Sequence, residues 1–260
     1  MFTEYLKEHP LRESLNFPCA PVYPEAGERE KWARIPEDFR EELLRLGKEW
    51  KEIPYPLLKA TQFMAFSRNG SRAAWEKPYF DRRRKLAAMT LAYCLTGEAD
   101  YLDEIADGVW CICEETSWVI SAHNGSDHPG TAPMSERILP DFRNPYIDLF
   151  AAQTAMILTY VLQLTGKALD GISPLIRRWA EESLERRILT PFETRDDFWW
   201  MGFIRKDLCN WTPWIVSNVM ITATGAIRED RSRLCALLER ACGMLDRYLD
   251  VRTTLAEENR

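Results

Sequence analysis

Histidine is scarce in this chain. His9, His123 and His128 are the only three among 260 residues, which argues against a histidine-rich metal centre. The seven cysteines form no C-x-x-C pair, and Cys111 and Cys113, two apart on an expected helix, point in different directions. They read as reduced thiols, and the expected location is cytoplasmic. Basic charge is also short: 34 Lys and Arg stand against 40 Asp and Glu, a net charge of -6. That balance lacks the basic face a nucleic-acid binder needs. The opening MFTEYLKEHP has no apolar secretory core. The longest apolar stretch, 149–164, is broken by Gln153, Thr154, Thr159 and Gln163, so no membrane span is expected. No phosphate loop, G-x-S-x-G elbow or H-E-x-x-H helix is present, and no cofactor is expected.

What the chain does carry is aromatic residues: ten Trp, nine Tyr and eleven Phe. Such a composition implies an aromatic core, or a cleft that stacks on flat ligands. The apolar spacing is helical almost throughout. From Arg84 an apolar run reaches Thr96-Gly97, where glycine fits a left-handed C-terminal cap. Tyr101, Ile105, Val109 and Cys113 then share one helical face. Asn144-Pro145 reads as the N-cap of an apolar helix from Tyr146 to Leu164, closed by Thr165-Gly166. Ser173-Pro174 opens an amphipathic helix with Ile176, Ala180, Leu184 and Ile188 inward. A third apolar helix follows Trp211-Thr212-Pro213 and ends at Thr224-Gly225. Its partner from Ser232 aligns Leu234, Leu238, Ala241, Leu245 and Tyr248. Asp38–Trp50 and Pro56–Ser67 form an earlier helical pair. The basic run Arg82-Arg83-Arg84-Lys85 reads as a solvated helix face.

The expected fold is therefore all-α. Helical hairpins closed by Thr-Gly turns must stack to bury their faces, and the uneven spacing fits an incomplete (α/α) toroid of about four hairpins. Residues 1–55 read as an N-terminal extension with a first helix, 56–250 as the toroid, and 251–260 as a polar tail. An open toroid leaves apolar helix faces uncovered, so self-association is expected.

Two connections, 117–143 and 189–211, are long, and long loops in compact domains are commonly functional. Hairpin topology brings both to the end opposite the Thr-Gly turns. The first supplies Trp118, His123, Asn124, Asp127, His128 and Arg143; the second supplies Trp199, Trp200, Arg205, Lys206, Asp207, Asn210 and Trp211. Trp200 and Trp211 read equally as sugar platforms or as a plug, and Trp214 as a plug. Carboxylates at Glu114, Glu115, Asp127, Asp196, Asp197 and Asp207 offer several possible acid/base pairs. Asp148, in an otherwise apolar helix, needs a partner such as Arg143 or a helix N-terminus.

The order of Trp118, His123-Asn124, the segment NPYIDLFAAQTA from Asn144, Trp199-Trp200 and Cys209-Asn210-Trp211 resembles the helical domain of heparinase II/III-like polysaccharide lyases. The likeness covers about residues 57–250. It implies β-elimination on a uronic-acid oligosaccharide. Asn210 would neutralise the substrate carboxylate and His123 would bind or transfer a proton. Trp118, Asn124, Trp199, Trp200 and Trp211 would contact the substrate; apart from the likeness, the charge of Arg205 or Lys206 suits either to pair with a substrate carboxylate. The family's catalytic tyrosine and its C-terminal β-sandwich would fall beyond residue 260, so the likeness implies the N-terminal part of such an enzyme. Two other readings stand beside it: a toroidal glycoside hydrolase using carboxylates such as Asp127 and Asp207, and a glycan-binding domain without turnover.

Overall fold

The computed structural model describes residues 1–124 and 137–258. The described residues are helical and contain no strand. The helices are α1 (Phe2–Glu8), α2 (Leu11–Ser14), α3 (Arg29–Trp32), α4 (Glu37–Lys51), α5 (Ala60–Asn69), α6 (Ala73–Thr96), α7 (Ala99–Cys113), α8 (Leu149–Ile172), α9 (Pro174–Leu184), α10 (Thr190–Thr194), α11 (Trp211–Ala226) and α12 (Arg231–Glu258). Three antiparallel pairs, α6–α7, α8–α9 and α11–α12, make the body. Within it, α8 stands between α6 and α11 as one layer. The partners α7, α9 and α12 lie against that layer. Arg233 of α12 joins Glu185 and Glu193, at and beyond the end of α9, across the outer side.

The expected inward faces hold. Tyr101, Ile105, Val109 and Cys113 of α7, Ala180 and Leu184 of α9, and Leu234, Leu238 and Ala241 of α12 are all buried. Helix α8 is long and apolar enough to span a membrane by length and composition. Here it is the central core helix, with Ala151, Ala155, Leu158 and Val161 packed into the main cluster.

The Thr-Gly pattern proves to be two different devices. Gly97 is a true left-handed cap, with φ 75° and its N–H bonded to the Tyr93 carbonyl. Gly166 lies well inside α8 and Gly225 is the penultimate residue of α11, and neither is a left-handed cap. A Cβ on Gly225 would collide with Thr159 and Gln163 of α8, so glycine there allows α11 and α8 to approach closely. The neighbouring Thr165 returns its hydroxyl to the Val161 carbonyl, 2.7 Å away, and is buried at no hydrogen-bonding cost. The expected end at Thr165-Gly166 is thus corrected, since α8 runs on to Ile172, whereas α11 ends at Ala226, one residue past the expected Thr224-Gly225. The start of α8 also moves, from Asn144 to Asp148 as N-cap. Ser173 and Pro174 cap and open α9 as expected.

Residues 10–36 run across the end of the bundle where α6 stops, while α1 packs along α12 toward the other end. The Phe2 and Thr3 N–H groups donate to Asp246 of α12. Arg231 at the start of α12 donates to the carbonyls of Arg12 and Leu15. Ala26 N–H meets the Leu164 carbonyl of α8 at 2.8 Å. Arg29 donates to the carbonyls of Cys94 and Leu95, the last turn of α6. One segment therefore touches all three hairpins and satisfies helix-end carbonyls.

The basic run is also corrected. Arg82, Arg83 and Lys85 are buried and only Arg84 faces solvent. Arg83 grips Glu115 with both arms, at 2.8 and 2.6 Å, and Arg82 reaches the same carboxylate at 3.2 Å. Arg187 donates to the Cys113 and Glu115 carbonyls, and burial pulls its guanidinium down to about 10. This cluster ties α6, the end of α7 and the extension of α9 together beneath the opposite end of the bundle. All seven cysteines are free thiols. Burial pushes Cys94 up to about 12 and Cys113 up to about 11, so neither supplies a thiolate nucleophile.

Candidate functional site

At the end away from the N-terminal strap, the loop after α7 and the loop before α11 meet. Asp148 is fully buried and caps α8, its Oδ1 accepting from Phe150 N at 3.1 Å and Ala151 N at 2.6 Å. A carboxylate suits this position because the helix N-terminus offers unsatisfied N–H groups and positive potential. Its other oxygen lies 2.9 Å from His123 Nδ1. That bond orients the imidazole; with Nδ1 as donor, the basic lone pair of the neutral ring sits on Nε2. Of the two partners expected for Asp148, the helix N-terminus is the one found. Arg143 lies instead against Asp141 at the surface.

The His123 ring is stacked over Phe150, centroids 5.7 Å apart, and lies 4.6 Å from Trp211. Phe80 meets Phe150 at 4.9 Å, and Trp199 meets Trp211 at 5.2 Å. A continuous aromatic row thus runs Phe80, Phe150, His123, Trp211, Trp199, with the Arg205 guanidinium 5.2 Å over Trp199 at its far end. Asn210, directly before Trp211, is exposed at the start of α11 and makes no side-chain cap bond.

The structure brings together His123, Asn210, Trp211, Trp199 and Arg205. Other expected contact residues do different work. Trp118 is buried and donates to the Ile112 carbonyl at 2.9 Å. Trp200 is fully buried, donates to the Ile147 carbonyl at 2.8 Å, and stacks on Phe198 at 5.5 Å. Neither exposes a face to a sugar, and Trp199, 6% exposed and packed against Trp211 and Arg205, does not either, so all three are core residues. The Asn124 amide donates to the Arg137 carbonyl at 2.7 Å and closes the base of the first loop. Asp127 and His128 lie outside the described residues.

Trp214 corrects the plug reading. It is 43% exposed and lines a cavity of about 400 Å³ with Phe80, Arg83, Arg84, Phe150 and Gln153. The cavity adjoins the aromatic row through Phe80 and Phe150. Helical spacing does not distinguish a tryptophan pointing into the core from one pointing along the open face of the same apolar helix.

The carboxylates around this end are held by arginines. Asp196 pairs with Arg240, Asp197 with Arg195, and Asp207 with Arg205. The Arg205 hydrogen bond pulls the Asp207 carboxyl down to about 2. Glu115 is spent on Arg82 and Arg83. Among the described residues no three His, Cys, Asp or Glu side chains gather as a metal site. The chain matches no known protein-family model, and no curated protein matches it in sequence.

Proposed function

We propose that this chain is an (α/α)-toroid of a carbohydrate-active enzyme that cleaves uronic-acid oligosaccharides by β-elimination. The inner helices would be α6, α8 and α11, and the outer ones α7, α9 and α12. The observation that carries the reading is the meeting of the carboxylate-oriented His123 with the Asn210-Trp211 step at the start of α11, at one open end of the bundle.

The chemistry follows from those groups. The C5 proton of a uronate is weakly acidic while its carboxylate is charged. An amide donor and a helix N-terminus beside that carboxylate stabilise the negative charge that builds up as the proton leaves. Asn210 has that role. His123 Nε2, positioned by the Asp148 bond to Nδ1, takes the proton from C5. The C4–O4 bond then breaks, a C4=C5 double bond forms, and the leaving O4 gains a proton. Trp211 gives a sugar ring an apolar platform, and Arg205, paired with Asp207, sits at the outer edge for a substrate carboxylate. The hydrolase alternative is poorly served: a general acid needs a raised carboxyl, and Asp207 is lowered by Arg205 while Asp196 and Asp197 are ion-paired.

Product masses after incubation with a panel of uronate oligosaccharides test the reading. Fragments that sum to the substrate mean elimination. Fragments that sum to substrate plus one water, or saturable binding without product, would replace it with hydrolysis or with a binding role.

A further inference from the structure

Two cavities share a wall. The one beside Trp214, of about 400 Å³, and a larger one of about 570 Å³ are both lined by Ala87 of α6 and Ile157 of α8. They therefore form one groove along the α6–α8 pair, with its waist at those two residues. On α6 it extends from Arg84 to Leu91 and on α8 from Gln153 to Leu164. At the helical rise that is a length of about 10–16 Å.

The larger half is apolar. Phe39 and Leu43 of α4, Tyr160 and Leu164 of α8, and Trp32 of the strap line it. Its polar groups are turned away: the Thr90 hydroxyl donates to the Leu86 carbonyl at 2.8 Å and the Trp32 indole to the Glu25 carbonyl at 3.0 Å. Lys31 is paired with Glu28. Phe39 and Tyr23 at the rim are 56% and 50% exposed, so apolar surface there meets water and gains from being covered.

The smaller half is cationic. Arg83 and Arg84 line it, and among the described residues no carboxylate does. Arg83 is spent on Glu115. Arg84 is exposed, and its one hydrogen bond among the described residues is to Asp81 at 3.1 Å, a carboxylate that Lys77 also holds at 2.7 Å. The trio of Lys77, Asp81 and Arg84 thus carries one net positive charge. Gln153, half-buried in the α8 wall, makes no side-chain hydrogen bond among the described residues.

An apolar trough that ends in an accessible cation and a free amide is complementary to a chain with one anionic end. We infer that this groove binds a free medium-chain fatty acid. Its carboxylate lies on Arg84 and Gln153 beside Trp214, and its alkyl chain passes Ala87 and Ile157 into the larger half. None of His123, Asn210, Trp211 or Arg205 takes part, and the inference does not rest on the reading of that end.

The test is calorimetric titration of the intact chain with octanoate, decanoate, decanol and decylamine. Each buried methylene should tighten binding roughly fourfold, so decanoate should bind roughly fifteenfold more tightly than octanoate. Decanoate should also bind more tightly than decanol, and decylamine most weakly of the ten-carbon ligands. Arg84→Gln should weaken decanoate roughly tenfold, the worth of one hydrogen bond between charged groups, and leave decanol unchanged. Ala87→Phe fills the waist; it should abolish the gain from octanoate to decanoate while the urea midpoint stays near that of the parent. Equal binding of octanoate and decanoate would overturn the assignment. So would decylamine binding as tightly as decanoate, or Arg84→Gln weakening decanol as much as decanoate. Glucuronate, which has the carboxylate without the chain, would overturn it too by binding as tightly as decanoate, and the groove would then belong to the sugar substrate.

Discussion

The two ends of the helical bundle are built on opposite principles. At the strap end, arginine side chains and a main-chain amide meet main-chain carbonyls. Arg29, Arg231 and the Ala26 amide occupy carbonyls of α6, α8 and the strap itself, so little hydrogen-bonding capacity is left there. At the loop end, buried ionic groups support exposed polar ones. The Arg82–Arg83–Glu115 cluster and the Asp148 cap lie beneath, and His123, Asn210, Trp211 and Arg205 lie above. One end is held by donors placed on helix and strap carbonyls, and the other by a charged foundation beneath partly exposed side chains.

The largest effect expected from breaking this contrast lies in the foundation. Glu115→Gln would leave Arg82 and Arg83 buried without a counter-charge and should cost about 3–5 kcal/mol, measured as a fall in the urea midpoint. Gly225→Ala sharpens the account of the Thr-Gly pattern: if Gly225 were a turn residue at an open helix end, alanine would be tolerated. The close approach of α8 predicts a loss of about 1–3 kcal/mol by overpacking. Asp148→Asn removes a charged cap and should cost about 1 kcal/mol in the same measurement. It should also release the His123 ring, visible as a changed imidazole NMR signal.

A smaller, local effect belongs to α1. Burial alone would raise the Asp246 carboxyl, but the Thr3 hydroxyl and the Thr3 and Phe2 amides outweigh it and bring the group down to about 2. A carboxyl lowered in the folded state stabilises most above its unfolded pKa, near 4, and that contribution fades as pH falls toward 2. Amide exchange in α1 should therefore accelerate over that acid range before the core helices respond. Asp246→Asn should show the faster exchange already at neutral pH.

The helices were legible in the sequence because a buried stripe repeats every three to four residues whatever it packs against. Tyr101, Ile105 and Val109, and the Ser173-Pro174 start, needed no partner to be recognised. Partner-dependent features were not legible. Arg83 looks like a surface residue until Glu115, on another element, is brought against it. Trp200 and Trp211 both belong to the connection that leads into α11, yet one is core and the other edges the site, and only tertiary packing separates them. Gly97 and Gly225 share the same Thr-Gly signature, while a left-handed φ exists at only one of them. Of the site, the convergence of the two long loops followed from hairpin topology. The Asp148–His123 bond and the exposed Trp214 did not.

The most direct measurement pairs turnover with stability in two variants, Asn210→Ala at the loop end and Arg29→Ala at the strap end. The account predicts that Asn210→Ala leaves the unfolding midpoint within about 0.5 kcal/mol of the parent and abolishes the unsaturated uronate product. It predicts that Arg29→Ala loses about 1–2 kcal/mol of stability and keeps turnover at low temperature. Unchanged product formation by Asn210→Ala would contradict the assignment of chemistry to the loop end.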